Sequence, residues 1–183
     1  MKKINLLLLV FVMQLTYANL CIGQESPSHS KWCFGTSISG GISIIKEFST
    51  NNINSYGNCI WGIDLYHNRI QTSLYSQGGW NSKNTMFNYG ILTGYNLTDK
   101  SILQITPLLG FGIMNHSNGY NLKSTPISSI GVNVDLEFLN NKKSKRNDIW
   151  MIRLHYNYSL PLKDCNIVNI HNITIGMVVR GVK

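Results

Sequence analysis

Charge is what this sequence has least of. Asp, Glu, Lys and Arg make up 13% of its 183 residues, well under the roughly 25% usual in soluble domains. A protein wetted on all sides needs more, whereas a surface facing lipid accounts for the deficit. Helical periodicity is also missing: beyond residue 28 no segment of ten residues or more repeats at 3.6. The only long apolar run, Ile4 to Leu15, is too short to anchor a helix across a bilayer. No Gly-x-Ser-x-Gly, His-Glu-x-x-His or Gly-rich phosphate loop occurs, and the Cys and His spacing matches no zinc pattern. The polar stretches offer His116, Ser117, Asp164 and His171 without a spacing that joins nucleophile, base and orienting group. No enzymatic activity, cofactor or metal is therefore expected.

The length suits a single domain. "MKKINLLLLVFVMQLTYANLCIGQES" sets two lysines before the apolar run and small residues before Gln24, the pattern of a secretory signal over residues 1–23. Residues 24–30 form a short lead, and 31–183 remain for the domain. The formal charge is +8, and removal of Lys2 and Lys3 leaves +6. The densest basic run, Lys142, Lys143, Lys145 and Arg146, reads first as a solvated turn and second as an attraction to anionic head groups. No aromatics interleave with it, so nucleic acid is not an expected partner. Cys33, Cys59 and Cys165 remain after the signal, allowing at most one bridge, Cys59 to Cys165, in a compartment that permits it.

What is present is a period of two. "SSIGVNVDLEF" (128–138) puts Ile130, Val132, Val134, Leu136 and Phe138 on one face and Ser129, Gly131, Asn133, Asp135 and Glu137 on the other. Seven more segments alternate likewise: 32–45, 58–66, 69–76, 85–97, 102–114, 149–160 and 172–182. His67 and Asn68 fit a tight two-residue turn, and Pro107 predicts a bulge or break in its strand. From a periplasmic N-terminus, the linkers 46–57, 77–84, 115–126 and 161–171 fall on one side, all long and rich in Asn, Ser and Gly. Those on the other side are 67–68, 98–101 and 140–148. Outward aromatics gather near the strand ends: Trp32, Phe34, Tyr95, Phe138 and Trp150 toward one rim, Trp61, Phe87, Phe111, Tyr156 and Tyr158 toward the other. An even strand number, sorted loops and two aromatic girdles describe an eight-stranded antiparallel up-and-down transmembrane β-barrel. Its small polar face points inward, Asp135 and Glu137 included.

On "NYGILTGYNLTDKSILQITPLLGFG" (88–112), "WMIRLHYNYSLP" (150–161) and "NIHNITIGMVVRG" (169–181), the chain resembles the small outer-membrane β-barrel proteins of Gram-negative bacteria. The broad class is that of OmpA and OmpX, and the segments look like the outer-membrane β-barrel domain proteins of Bacteroidota-type genomes. The resemblance implies residence in a bacterial outer membrane and no particular activity.

Inside such a barrel the inward charges form a cluster: Asp64, Arg69, Asp135, Glu137, Arg153, His155 and Arg180. Paired charges of this kind plug a lumen and hold register; an ion or proton path is the sharper alternative. The expected role is structural or interactive, with Tyr56, Trp80 and Tyr120 on the outer loops meeting surface polysaccharide or another membrane protein, and outer-membrane lipid as the solvent. Two other roles remain open: a conduit for ions or apolar solutes, and a soluble secreted β-sandwich or lipocalin-like carrier.

Overall fold

The computed structural model describes residues 32–47, 53–82, 84–98, 102–117, 122–140, 147–163 and 167–182. The expected signal and lead segments, the basic run at 142–146, Tyr120 and Cys165 lie outside them. Eight strands, β1 (Trp32–Glu47), β2 (Ile53–His67), β3 (Ile70–Trp80), β4 (Thr85–Tyr95), β5 (Leu103–Ser117), β6 (Leu122–Asn140), β7 (Asn147–Pro161) and β8 (Ile167–Val182), pair in sequence order, each antiparallel to the next. The sheet closes through a β1–β8 ladder running from Phe34↔Gly181 to Glu47↔Ile167.

The alternation decides the orientation of every strand. In β1 the pattern from Trp32 is exposed, buried, exposed, buried, with Phe34, Ile38, Ile42 and Ile44 outside and Cys33, Ser39, Ser43 and Ile45 inside. β6 turns Ile130 and Leu136 outward and buries Ser129, Asn133 and Asp135. The apolar side chains thus form the outer wall. Phe34 is 66% exposed and Ile175 62%, values that water would penalise and hydrocarbon would not. At about 3.3 Å per residue and a tilt near 40°, the 11 residues of β3 or β4 climb about 28 Å, enough for an apolar band about 25 Å tall.

Three sequence expectations change. The strands at one end extend well beyond the apolar band, so the long linkers shrink to 48–52, 81–84, 118–121 and 162–166, against 68–69, 96–102 and 141–146 at the other. We call these the loop end and the turn end. The sorting of connections by length disappears, because polar outward residues such as Ser55, Asn115, Ser124 and Asn169 continue the ladders where they read as loop. Second, the tight turn is Asn68–Arg69, closed by the pair His67↔Ile70; Asn68 takes the left-handed conformation, φ 53°, which asparagine tolerates best after glycine. Third, Pro107 causes no bulge. It pairs with Val132 in unbroken register, and the β4–β5 ladder stops one residue short of it, at Gly94↔Leu108. Ile105, two residues earlier and so facing the same neighbour, gives its N–H to Thr98 Oγ1 (3.0 Å) and accepts from Leu97 N (2.9 Å). The donor that proline lacks therefore falls where the β4–β5 ladder has already ended. The register shifts that do occur lie at Lys46/Glu47 and Glu137/Leu139, near strand ends.

The narrow barrel brings neighbouring backbones close at inward glycines. A Cβ on Gly94 would stand 2.0 Å from the Pro107 carbonyl oxygen, and one on Gly176 2.0 Å from that of Ile38. The outward Gly78 has nothing within 4 Å. Gly94→Ala should lower the stability of the refolded barrel by about 1–3 kcal/mol through overpacking, and Gly78→Ala should leave it unchanged, as read from urea unfolding midpoints of the two variants.

Candidate functional site

The lumen is filled in layers. Nearest the turn end, Arg180 on β8 lays its guanidinium over the Tyr66 ring, 4.2 Å from the centroid, and gives Nη1–H to Gln104 Oε1 at 3.3 Å. Arg69, in the turn, reaches the Tyr95 hydroxyl at 3.5 Å.

Above them Arg153 forms the node of the interior. It projects from β7, and its Nε and Nη2 donate to the two oxygens of Asp135 on β6 at 2.7 and 2.8 Å. Asp135 is its direct cross-strand partner, so this fork follows from register. Nη1 crosses the lumen to Asp64 Oδ2 on β2 at 2.8 Å, and Nη2 also meets the Tyr66 hydroxyl at 3.0 Å. Asp64 accepts further hydrogen bonds from Tyr66, Ser73 and Gln71. The three charged groups are 0–5% exposed. Ions buried so deeply are tolerated only when paired and hydrogen-bonded on all sides, which Asp64, with donors from three strands, satisfies.

The layers of the lumen next above this node are neutral. His155 Nδ1 meets Asn133 Oδ1 at 2.6 Å and Ser129 meets Ser159 at 2.8 Å, opposite an apolar group of Ile60, Tyr75, Leu92 and Leu108. The Tyr75 side chain lies across Gly90 and Gly112, whose added Cβ atoms would each come within 3.0 Å of it. Gln77 then spans the barrel: it donates to Ser43 (3.0 Å) and Asn172 (2.9 Å) and accepts from Asn88 (3.1 Å), while Asn58 joins through Ser43 (2.7 Å). Ile45, Tyr56, Met86, Met114, Ile127, Ile167 and Ile170 form an apolar layer above it.

Of the residues singled out from sequence, Asp64, Asp135 and Arg153 come together directly. Arg180 approaches through Tyr66, and His155 lies one inward position along β7 from Arg153 but pairs with Asn133. Glu137, inward on β6, and Arg69 sit toward the turn end. Tyr56 is a correction: it is no loop contact but an inward residue of β2, 1% exposed, its hydroxyl 3.1 Å from His116 Nε2. It was misplaced because β2 begins at Ile53, before the apolar pattern does. Trp80 ends β3 and is 55% exposed. Cys33 and Cys59 are free thiols; Cys165, the other half of the expected bridge, lies outside the described residues. Sequence reading left Tyr66, Asn88 and Asn172 out of the interior cluster because they carry no charge, although their inward parity could have found them, and left out Gln77 because it fell in the linker 77–84.

The arrangement binds and braces. Ser73 touches Asp64, but the nearest inward histidine, His155, is held by Asn133 rather than by a hydroxyl. Among the described residues no three His, Cys, Asp or Glu side chains are grouped to hold a metal.

A closed all-antiparallel barrel of eight strands, apolar outside and polar within, has the fold of the outer-membrane β-barrels. Among solved structures, the N-terminal β-barrel domain of Pseudomonas aeruginosa OprF matches with a TM-score of 0.57 at 9% identity, over 83% of this chain and 99% of that one. Neisserial surface protein A, NspA, matches at 0.54 and 11%, over 82% and 96%. At such identities the likeness speaks for the fold alone. No protein-family model and no curated protein sequence matches the chain.

Arg153→Met should cost about 3–5 kcal/mol by leaving two buried carboxylates without their cation. Adding Asp64→Asn and Asp135→Asn to it should recover most of that loss. Urea midpoints of the three proteins, refolded in the same detergent, test this; an unchanged midpoint for Arg153→Met alone sinks the assignment of the node.

Proposed function

We propose that the protein resides in a bacterial outer membrane as a sealed barrel, with a structural or surface-interaction role and no catalytic one. The observation that carries this reading is the inverted polarity of a filled barrel: exposed Ile, Leu, Phe and Trp outside, and layers of charge, amide and apolar side chains across the lumen. Lipid is the solvent that suits such an outer wall. The barrels it resembles in fold, the N-terminal β-barrel domain of OprF and Neisserial surface protein A, support the location, the second by being a surface protein. The finer kinship with OmpA- and OmpX-like domain proteins of Bacteroidota type rests on the three sequence segments quoted above.

A conduit needs a continuous polar path, and the layer of Ile45, Met86, Met114, Ile127, Ile167 and Ile170 opposes one. A lipocalin-like carrier needs the reverse polarity, a wet exterior and an apolar cup. Interaction with surface polysaccharide or a neighbouring membrane protein then falls to the loop end, where Trp80 is exposed and the Asn81 side chain caps Asn84 N at 2.7 Å.

Two measurements test the reading. The protein should fractionate with outer membranes and migrate faster on a detergent gel before boiling than after. Reconstituted into planar bilayers, it should add no conductance above that of the lipid. Discrete channel openings would favour the conduit, and recovery from the soluble periplasm without a heat shift would favour the carrier.

A further inference from the structure

The outer wall is not uniform. Among the described strand residues, the outward positions of all eight strands carry one cation, Lys46 at the loop end of β1. They carry two imidazoles. His67, at the turn end, stacks on Trp32 with ring centroids 4.2 Å apart. His171, on β8, stands at the loop end beside the lysine. Register puts Lys46 opposite Asn169 and Ile44 opposite His171, so the ammonium and the imidazole occupy adjoining rows on adjoining strands. On the other side of β8, Tyr158 is paired with His171, with ring centroids 4.9 Å apart. The Tyr156 hydroxyl, one row nearer the apolar band, lies 2.9 Å from His171 Nδ1. When that hydroxyl donates to Nδ1, the neutral ring carries its proton on Nε2 and has it to give. Ile44 and Ile173, 38% and 51% exposed, continue the wall below.

We infer that this sector of β7, β8 and β1 binds the head group of an anionic, phosphate-bearing lipid in the leaflet at the loop end. Lys46 supplies the charge, and its methylene stem lies along the apolar wall while the ammonium stays at head-group depth. The His171 N–H and the Asn169 amide supply directional donors, and Tyr156 and Tyr158 hold the imidazole at the boundary where amphipathic rings settle. A free anion in solution would not need Ile44 and Ile173 beside its donors; an acyl chain attached to the phosphate does. The sector binds from outside and leaves the lumen untouched, so it adds a lipid preference to the membrane role proposed above and rests on that reading.

The test is native mass spectrometry of the full barrel released from vesicles of phosphatidylcholine and phosphatidylglycerol with identical acyl chains. The parent protein should retain phosphatidylglycerol over phosphatidylcholine. Lys46→Gln should reduce that preference about fivefold, the weight of one interfacial cation, and His171→Phe should reduce it as well. Lys123→Gln, an exposed lysine on β6 away from this sector, should leave it unchanged. Heat-dependent mobility, measured on each sample, reports whether the barrel has inserted. Failure of every protein to insert defeats the membrane reading itself. An inserted Lys46→Gln barrel that retains phosphatidylglycerol like the parent overturns the lipid site alone. So does displacement of the lipid by inorganic phosphate, which would mark a free-anion site, or release of a lipid-free dimer, which would mark an interface between copies.

Discussion

Closure of the sheet through the β1–β8 ladder is the constraint from which the other features follow. Eight strands make a narrow ring, and every second side chain must enter it. The inward set is therefore rich in Gly, Ser, Thr and Asn, and where larger groups enter they lie across glycines, as Tyr75 does over Gly90 and Gly112. Closure also removes every sheet edge, so all backbone donors along the band are paired without water. The outward set is then free to be apolar.

The same narrowness makes a buried ion pair tolerable. Arg153 is near enough to both Asp135 on the adjacent strand and Asp64 across the lumen to bond both. Hydrogen bonds from Tyr66, Ser73 and Gln71 complete the shell of Asp64. A wider barrel would leave room for water between β7 and β2 and would break the bridge into two solvated halves. The neutral layers above, with Gln77 reaching from β3 to Asn172 on β8, brace the barrel in the same way with amides. A lumen occupied by its own side chains leaves the outer wall and the loop end as the surfaces on which this protein meets anything else. That is why Lys46, the one outward cation among the described strand residues, and its neighbour His171 carry more meaning than the larger number of charges inside.

Strand identity, orientation and fold class were legible because period two is a local property. Ile130 and Asp135 face opposite ways whatever the neighbouring strands do, and a wall of exposed Ile, Phe and Trp has no use in water. The ends of the strands were not legible in this way. Above the apolar band the outward residues turn polar while the inward ones turn apolar, so Ser55, Asn115 and Asn169 look like loop residues although they continue ladders, and Tyr56 reads as a loop aromatic although it is buried. The effect of Pro107 was equally hidden, since it depends on where β4 stops rather than on anything near the proline.

The sequence by itself determined which face of each strand forms the apolar outer wall and which enters the lumen, because a side chain's parity along an extended backbone needs no partner to define it. Only the tertiary structure decided which inward groups meet. The contact between Arg153 and Asp64 joins residues 89 apart in the chain. It depends on the stagger that eight tilted strands must adopt to close, a property of the whole ring that no single segment carries.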